Sequence, residues 1–579
     1  MTELASSDLR VPYHSARSSS TQVLRFRQVN DTIQFELNRA RYIAWPSIQT
    51  LAILPPSDNA SLVTVISCPA RSALDSAWLR TYINRQKQFD DVFDAAFLNG
   101  IVFTGSKEPE SLVAAELKEL LDLWGTTWSK HMVEDSPTQP SPGLYVWKNN
   151  SLWNTYRMYD DLNGAFMAST RCCPATGYIN LRVGGKKYQT LSVIVPSRTL
   201  TSPTKTKPLE GLRFVVKDMY RIEGLRTTLG NRGYYDVNVP ATANAPAIQR
   251  LLDSGAYLVG TTKLACFAAR EEPTECVDYQ APYNPRGDGY QSPAGSSSGS
   301  AAAIASYDFL DFTIGSDKAT GSTRRPAFFN GCFALRPSYD KLPLADYLTP
   351  QVYFVGILRL AKQPLLIYPL DYLPTSNPEQ MKLLDSFVGD LETTIGTEAS
   401  KISIREYWNT NGPEEAGGKT IDEFFDEVAT QTFLFDFYHN FQRFRDEYYN
   451  KHHKSPYINT FIAWRWNLGK SVTQSQRDEA INKINVYKKW FLQEILHEGA
   501  RDSFVILPIA EVAPNYRDTQ PGPHFKQNAF DALFLAPILG APELVVPSTD
   551  IHLINTVERC LKETDRQTVA QTGPTTFKG

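Results

Sequence analysis

The chain has 579 residues, of which 42% are hydrophobic and 21% are charged, and its formal net charge is −3. This composition is typical of a globular protein with two or three domains, or with one large domain and an accessory one. The nearly balanced charge gives no reason to expect a nucleic-acid or membrane partner.

The seven cysteines are odd in number, and none of them lies in a CxxC or another metal-ligand spacing. The first 15 residues contain no apolar core of a secretory signal, and the longest apolar region, at about 532–547, is interrupted by two prolines and a glycine. We therefore expect free thiols, no metal, no transmembrane helix and a cytoplasmic location.

The first third of the chain has a mixed pattern. Residues 63–67 and 143–147 are predicted to be strands, and residues 111–124 an amphipathic helix. A Thr-, Pro- and Lys-rich stretch then predicts a linker. The predicted division is a loose terminus at 1–20, a smaller α+β domain at 21–196, a linker at 197–210 and a catalytic domain at 211–579.

Strand and helix patterns alternate after residue 211. Short buried strands are predicted at 214–217, 257–260 and 309–314, and a helix at 245–254. This alternation predicts an α/β fold with helices on both faces of a sheet. Residues of about 379–498 are mainly helical in pattern, notably 421–449 and 477–498, and are rich in aromatic residues.

Two clusters of small residues, GSSSGS at 295–300 and ATGS at 319–322, stand out. Gly and Ser bury little apolar surface, but they supply N–H groups and hydroxyls that can come close to a reacting atom. An isolated run of this kind is most often a surface loop. Here the first cluster opens a predicted helix at 301–305, where unpaired N–H groups suit an anion or oxyanion.

The first cluster also matches the nucleophile elbow of α/β-hydrolases as Gly295-x-Ser297-x-Gly299. That motif requires a buried strand immediately before it. The preceding residues, NPRGDGY at 284–290, are typical of turns, so we reject this interpretation.

Four sequence blocks occur in a fixed order: GLRFVVKD at 211–218, APAIQRLLDSGAYLVGTTKL at 245–264, GSSSGS at 295–300 and GSDKATGSTRRP at 315–326. Together they resemble the amidase signature hydrolases. The resemblance implies that family's fold, a large mixed β-sheet flanked by helices on both faces. It also implies that the aromatic-rich helical region covers the substrate.

The resemblance assigns roles to individual residues. Ser322 is the implied nucleophile, Ser296 the bridging serine after a cis peptide bond from Gly295, and Lys217 the base. The implied oxyanion-hole donors are the backbone N–H groups of Ala319, Thr320 and Gly321, with that of Ser322 itself. The implied supporting residues are Asp317, Arg324 and Ser297. No metal or organic cofactor is expected.

The chemistry explains why a buried lysine is required. A serine hydroxyl is a poor nucleophile, and a lysine can accept its proton only when the lysine is neutral. Lowering a lysine pKa from about 10.4 to near 7 requires a differential of about 4 to 5 kcal/mol from burial. The apolar residues 214–216 before Lys217 predict such burial. The alternative is a lysine at a strand end that pairs with Asp218.

The sequence departs from the family pattern in the proposed oxyanion loop. The family has four positions from the Asp to the nucleophile, whereas Asp317 and Ser322 are five apart. A second extra residue is indicated within 307–312. Either the loop bulges without moving the donors, or the oxyanion hole is distorted.

Short stretches at 90–93 and 142–145 resemble the scytalone dehydratase-like N-terminal domain of fungal two-domain amidases. We use this resemblance only for the domain boundary. The extra domain and the aromatic helical region favour a self-contained enzyme over an amidotransferase A subunit.

Three functions remain open. The favoured one is hydrolysis of a carboxylic amide through an acyl-serine, with a small-molecule amide or ester as substrate. The second is acyl transfer or cyclisation on the same triad. The third is a disabled site in a binding or scaffold protein. The sequence identifies no substrate, and a homodimer is compatible with it.

Overall fold

The computed structural model describes most of the chain between residues 8 and 546. The described residues are 8–14, 21–50, 60–68, 76–106, 115–133, 139–173, 175–186, 190–198, 203–318, 320–338, 365–497, 503–511, 513 and 515–546.

Twenty strands are present in this part of the chain. In chain order they are β1 (Asp8–His14), β2 (Thr21–Val29), β3 (Thr32–Leu37), β4 (Ala40–Thr50), β5 (Ser61–Ser67), β6 (Gly100–Ser106), β7 (Trp128–Val133), β8 (Gly143–Lys148), β9 (Ser151–Asp160), β10 (Phe166–Cys173), β11 (Gly177–Leu181), β12 (Ser192–Pro196), β13 (Arg213–Lys217), β14 (Tyr257–Thr262), β15 (Phe312–Ile314), β16 (Ala334–Arg336), β17 (Leu365–Pro369), β18 (Ala399–Ile402), β19 (Ser503–Val505) and β20 (Glu543–Val545).

Fourteen α-helices accompany these strands in the described residues. They are α1 (Ser76–Phe89), α2 (Ala115–Leu123), α3 (Arg232–Val237), α4 (Pro246–Asp253), α5 (Ser298–Ser306), α6 (Arg324–Phe329), α7 (Pro378–Ile395), α8 (Ile404–Asn411), α9 (Ile421–Phe424), α10 (Phe435–His439), α11 (Gln442–His452), α12 (Thr460–Ser471), α13 (Gln474–Trp490) and α14 (Ala532–Leu539).

The N-terminal part forms a ten-stranded sheet in the order β1-β2-β3-β4-β9-β8-β5-β6-β7, with β12 paired to β9. β5 and β8 confirm the strands predicted at 63–67 and 143–147. α2 confirms the predicted amphipathic helix, of which residues 111–114 lie outside the described part. The apolar residues of α2 recur every three or four positions, so its Leu117, Leu120 and Leu121 are buried together.

The second sheet has the order β11-β10-β14-β13-β15. β13 runs parallel to both β14 and β15, whereas β10 runs antiparallel to β14. All five residues of β13 are buried, which fits its position between two strands. This mixed sheet with its helices confirms the predicted α/β fold class.

Three predicted elements around this sheet are confirmed, and one is shorter than predicted. β13, β14 and α4 match the predictions, but β15 begins only at Phe312. The preceding Asp311 is not part of the strand. Its carboxylate accepts a hydrogen bond from the backbone N–H of Arg213, the first residue of β13, at 2.7 Å.

The second sheet and one apolar core both extend across the predicted domain boundary. β10 and β11 come from within residues 21–196, yet they pair with each other and with β14 of the second sheet. One apolar cluster contains residues of both parts, such as Phe35, Phe166, Val215 and Phe309. The boundary at 196 stays a prediction, but the parts on either side of it pack as one core.

The aromatic-rich region is mainly helical, as predicted, from α7 to α13, with β18 between α7 and α8. The helical stretch predicted over 421–449 consists of α9, a π-helical turn at Thr430–Leu434 that continues into α10, and α11. A second π-helical turn at Phe491–Ile495 follows α13. Among the residues that the structure describes, no helix is both long enough and apolar enough to cross a bilayer.

Candidate active site

The candidate site lies at the carboxyl end of β13, where Lys217 is fully buried. Its Nζ atom lies 2.7 Å from the Ser296 hydroxyl, 2.7 Å from the Ser316 hydroxyl and 3.0 Å from the Ser297 hydroxyl. The structure thus brings together three serines from two loops around one amine.

Burial lowers the pKa of Lys217 to about 7, although the nearby Asp317 carboxylate acts in the opposite direction. Lys217 forms no ion pair with Asp218 in the described structure. Asp218 instead accepts hydrogen bonds from the backbone N–H and hydroxyl of Thr228, at 2.9 and 2.5 Å. The alternative of a strand-end lysine paired with Asp218 is therefore wrong, and a pKa of about 7 gives the amine a substantial neutral fraction at neutral pH.

The loop before α5 carries Ser296 and Ser297. The peptide bond between Gly295 and Ser296 is cis, as the family resemblance implied. The first turn of α5 packs tightly at Gly299, where a Cβ atom would lie 2.5 Å from the Ala165 carbonyl oxygen and 2.5 Å from the Lys263 nitrogen. A glycine at this position lets the loop lie directly against the sheet.

Ser297 connects the two serine loops. Its hydroxyl accepts hydrogen bonds from the Lys217 amine and from the Ser316 backbone N–H, the latter at 3.1 Å, and donates to the Ser316 carbonyl at 3.3 Å. Its own N–H donates to the Ser322 carbonyl at 2.8 Å. These bonds place Ser297 between the two loops, and its predicted supporting role stays a prediction.

The hydrogen-bond arrangement suits a neutral amine. A neutral Lys217 amine has two protons to donate and one lone pair to accept a proton, which matches three hydroxyl partners. Because Ser297 donates its proton to a carbonyl, it accepts from Nζ. One of the other two hydroxyls can then donate to Nζ, as a bridging Ser296 would.

Asp317 and Arg324 hold the two ends of the loop 317–324, here called the nucleophile loop after the role predicted for Ser322. The Asp317 carboxylate accepts hydrogen bonds from the backbone N–H groups of Thr323 and Arg324 and from the Arg324 guanidinium, at 3.0 to 3.1 Å. Burial acts to raise the pKa of Asp317, but the charge and hydrogen bonds of Arg324 outweigh it and hold the pKa at about 2. The carboxylate therefore stays ionised at all working pH values.

The extra residue lies in a loop that contacts the helical region. Lys318 forms an ion pair with Asp436 at 3.0 Å and lies 5.1 Å from the ring centre of Phe433. Asp436 is also held by Arg477 at 2.8 Å. Ala319 lies outside the described residues, so the predicted oxyanion role of its N–H stays a prediction.

The remaining residues of the loop are buried or constrained. Thr320 and Ser322 are only 8% and 9% exposed. Gly321 has a φ of +79°, and a Cβ atom there would lie 2.9 Å from a Leu533 methyl carbon. Within the described residues the Ser322 hydroxyl makes no hydrogen bond, so its contact with Ser296 is not formed in this state. Catalytic hydrogen bonds often shorten only when substrate binds.

Sequence reasoning missed two residues of the site. Ser316 lies as close to Lys217 as Ser296 does, and its position beside Asp317 in the fourth block was a usable signal. Glu543 is in β20 and forms an ion pair with the Arg324 guanidinium. Arg324 and Glu543 are 219 positions apart in the sequence, and no motif links them.

A cavity of about 310 Å³ opens beside the nucleophile loop. Among the described residues, Thr320 is the part of the loop that reaches it, and Ser322 is not in its lining. The helical region contributes aromatic and aliphatic side chains, including Phe433, Leu434 and Phe461. A small molecule of ordinary size fits a cavity of this volume.

Comparison with known proteins finds matches in the part of the chain that contains the candidate site. Residues 197–353 match the family model named Amidase. The chain is 32% identical to Amidase 1 of Arabidopsis thaliana over 262 residues, which cover 41% of this chain and 59% of the relative. It is 40% identical to Amidase 1 of Oryza sativa subsp. japonica over 195 residues, which cover 32% and 43% of the two chains.

Other relatives are glutamyl-tRNA(Gln) amidotransferase A subunits. The one from Natronomonas pharaonis is 39% identical over 137 residues, covering 24% of this chain and 31% of the relative. A solved crystal structure of an amidase superposes with a TM-score of 0.45 and 22% identity, over 59% of this chain and 78% of that one. The matches span less than two thirds of the curated relatives named here. Residues 197–353 therefore resemble the Amidase family, and the relatives that match the chain are amidases and amidotransferase A subunits.

The first prediction concerns Gly321. We expect Gly321→Ala to distort the nucleophile loop, because a methyl group there adds strain from the positive φ and collides with Leu533 and Arg325. Reaction of Ser322 with a fluorophosphonate should fall at least about tenfold, the loss expected when one oxyanion donor is misplaced. Intact-mass measurement of the labelled protein over time gives the rate.

Gly418→Ala is the matched control, since Gly418 has a φ of +74° and no atom within 4 Å of the added methyl group. Both variants should lose about 1–2 kcal/mol of stability from the left-handed conformation. Equal labelling rates in the two variants would contradict a role for the loop.

Proposed function

We propose that this protein is a serine-lysine amidase, which cleaves a carboxylic amide through an acyl-serine intermediate. The observation that carries the proposal is the buried Lys217 amine, 2.7 Å from the hydroxyl of Ser296, with its pKa lowered by burial to about 7. The amidase homologues support amide hydrolysis as the type of reaction. In this proposal Ser322 is the nucleophile and Ser296 the bridge to Lys217.

The first half-reaction forms the acyl-enzyme. Neutral Lys217 accepts the proton of Ser296, and Ser296 accepts that of Ser322 as the Ser322 oxygen attacks the amide carbon. The negative charge moves to the carbonyl oxygen, where backbone N–H groups of the loop 319–322 stabilise it. Each such donor contributes about 3 kcal/mol to transition-state stabilisation.

Departure of the amine completes this first half-reaction. The proton on Lys217 returns through Ser296 to the leaving nitrogen, so the C–N bond breaks, ammonia or an amine departs, and the acyl-serine remains. In the second half-reaction a water molecule attacks the acyl-serine, the relay takes the proton of the water, and the same relay returns a proton to the Ser322 oxygen as the acyl C–O bond breaks. The products are a carboxylic acid and free Ser322.

The contacts of Lys318, which lies in the lengthened loop, support a functional loop over a disabled one. Lys318 forms an ion pair with Asp436 and lies beside Phe433, so this part of the loop is tied to the helical region. Asp317 and Arg324 are paired at the ends of the loop. In this proposal the insertion bulges against the helices without displacing the oxyanion donors.

Hydrolysis and acyl transfer use the same triad, so products must separate them. Incubation of an amide substrate with and without a competing amine, followed by mass spectrometry, distinguishes the two. A free acid as the main product in both conditions supports hydrolysis. An amine adduct in preference to the acid supports acyl transfer.

The second prediction concerns the nucleophile. A fluorophosphonate should modify the protein once, at Ser322, and peptide mapping should locate the adduct. Ser322→Ala should abolish the adduct, whereas Ser306→Ala, which changes a hydroxyl that bonds the Ala302 carbonyl at the end of α5, should label normally. A wild-type protein that is folded but unmodified would support the scaffold alternative.

The third prediction concerns the pH dependence of that labelling. The base is active only when neutral, and its pKa is about 7, so the rate should rise about tenfold per pH unit below 7 and level off above it. Lys217→Met keeps the volume of the side chain but removes the base. It should lower the rate at pH 8 about a hundredfold or more. A pH-independent wild-type rate would exclude a lysine base.

A further inference from the structure

Two arginines line the cavity beside the nucleophile loop, and neither forms an ion pair within the described residues, although the charges of Glu272 and Asp531 act on Arg270 and that of Glu271 acts on Arg465. Arg465 in α12 is only 8% exposed, and its Nε atom is buried without a hydrogen-bond partner. Arg270 lies in the same lining. Within the described residues, neither guanidinium donates a hydrogen bond or forms an ion pair, although both are largely removed from water.

Aromatic rings hold Arg465 in place without using its N–H groups. Its guanidinium carbon lies 5.2 Å from the ring centre of Phe437 and 5.4 Å from that of Phe461. Such cation–π contacts orient a guanidinium by its face. The N–H groups at its edge remain available to a ligand.

Nearby carboxyl groups do not provide the missing partner. Glu271 accepts hydrogen bonds from the Cys266 backbone N–H and the Asn459 amide, and burial raises its pKa to about 8. Glu272 accepts hydrogen bonds from Asn515 and Ser292 at 2.9 and 3.4 Å. Glu275 accepts a hydrogen bond from the Glu272 backbone N–H at 2.9 Å, and burial raises its pKa. Each of these carboxyl groups therefore accepts hydrogen bonds from groups other than the two arginines, although Glu272 and Glu275 line the same cavity.

The charge on Arg465 persists at neutral pH. Burial and the neighbouring Arg270 lower the pKa of Arg465 only to about 10, so it remains protonated. A buried, unpaired charge is unfavourable, and it is normally compensated by an opposite charge. A planar guanidinium fork suits a carboxylate best.

From this geometry we infer that the substrate's acyl group carries a carboxylate at its far end, which Arg465 and Arg270 bind. The inference rests on the proposed function, since it places the scissile amide at the nucleophile loop. Phe433, Leu434 and Phe534 also line the cavity and match an apolar linker between amide and carboxylate. The substrate class is therefore a half-amide of a dicarboxylic acid.

The test compares two sets of fluorophosphonate probes on the full chain. One set carries an ω-carboxylate on linkers of three to six methylene groups, and the other carries an isopropyl group of the same shape in its place. We expect the carboxylate probe of the best linker length to label Ser322 roughly tenfold or more faster than its isostere, as for one hydrogen bond between charged groups. Arg465→Met should remove this preference, so that the carboxylate probe and its isostere label at similar rates.

Arg445→Met is the matched control. Arg445 also lies on aromatic rings, 3.9 Å from the ring centre of Tyr438 and 4.8 Å from that of Trp466, but it is not in the described cavity lining. The Arg445→Met variant should retain the wild-type preference for the carboxylate probe. No preference for the carboxylate at any linker length, or a preference that survives in Arg465→Met, overturns the inference while isostere labelling upholds the proposed function. If neither set of probes labels Ser322, the result contradicts both the inference and the proposed function.

Discussion

The site depends on the burial of one amine. Lys217 lies at the end of a strand whose five residues are all buried, and its partners are hydroxyl groups. Hydroxyls satisfy its hydrogen bonds without supplying a negative charge, so burial can lower its pKa to about 7. Asp317, the one carboxylate that raises this pKa, is itself held by Arg324. The arrangement therefore keeps a base neutral beside an ionised carboxylate.

The strand that carries Lys217 is anchored at its other end by the N-terminal part of the chain. Arg213, the first residue of β13, is fully buried and pairs with Asp90 and Asp91 at 3.3 and 2.5 Å. β10 and β11 extend the same sheet from the N-terminal side. Removing one partner of a buried ion pair is strongly destabilising, because it leaves the other charge uncompensated. The N-terminal part is thus physically part of the support for β13.

Local patterns in the sequence predicted the strands β13 and β14, the helix α4 and the α/β class, because each has a continuous apolar run or a regular period. The family resemblance placed Lys217, Ser296 and Ser297, which the structure brings into contact. It could not place Glu543 or Arg465, since both reach the site only through tertiary folding from distant segments. The stretch 421–449 is helical as predicted, but it is divided by a turn after Phe424, where Glu427 has a positive φ, and by a second turn before Gln442. A positive φ at a glutamate cannot be read from helix propensity. The strand predicted from residue 309 was too long, because the Asp311 side chain bonds the backbone N–H of Arg213 at the start of β13.

The central claim is that Lys217 is neutral near physiological pH, and its titration can be observed directly. With lysine labelled by ¹³C at the ε-carbon, heteronuclear NMR follows each lysine through pH, and the Lys217 signal is assigned by its loss in Lys217→Arg. The account predicts a midpoint near 7. A midpoint at or above about 10, the value of a solvated lysine, would contradict it.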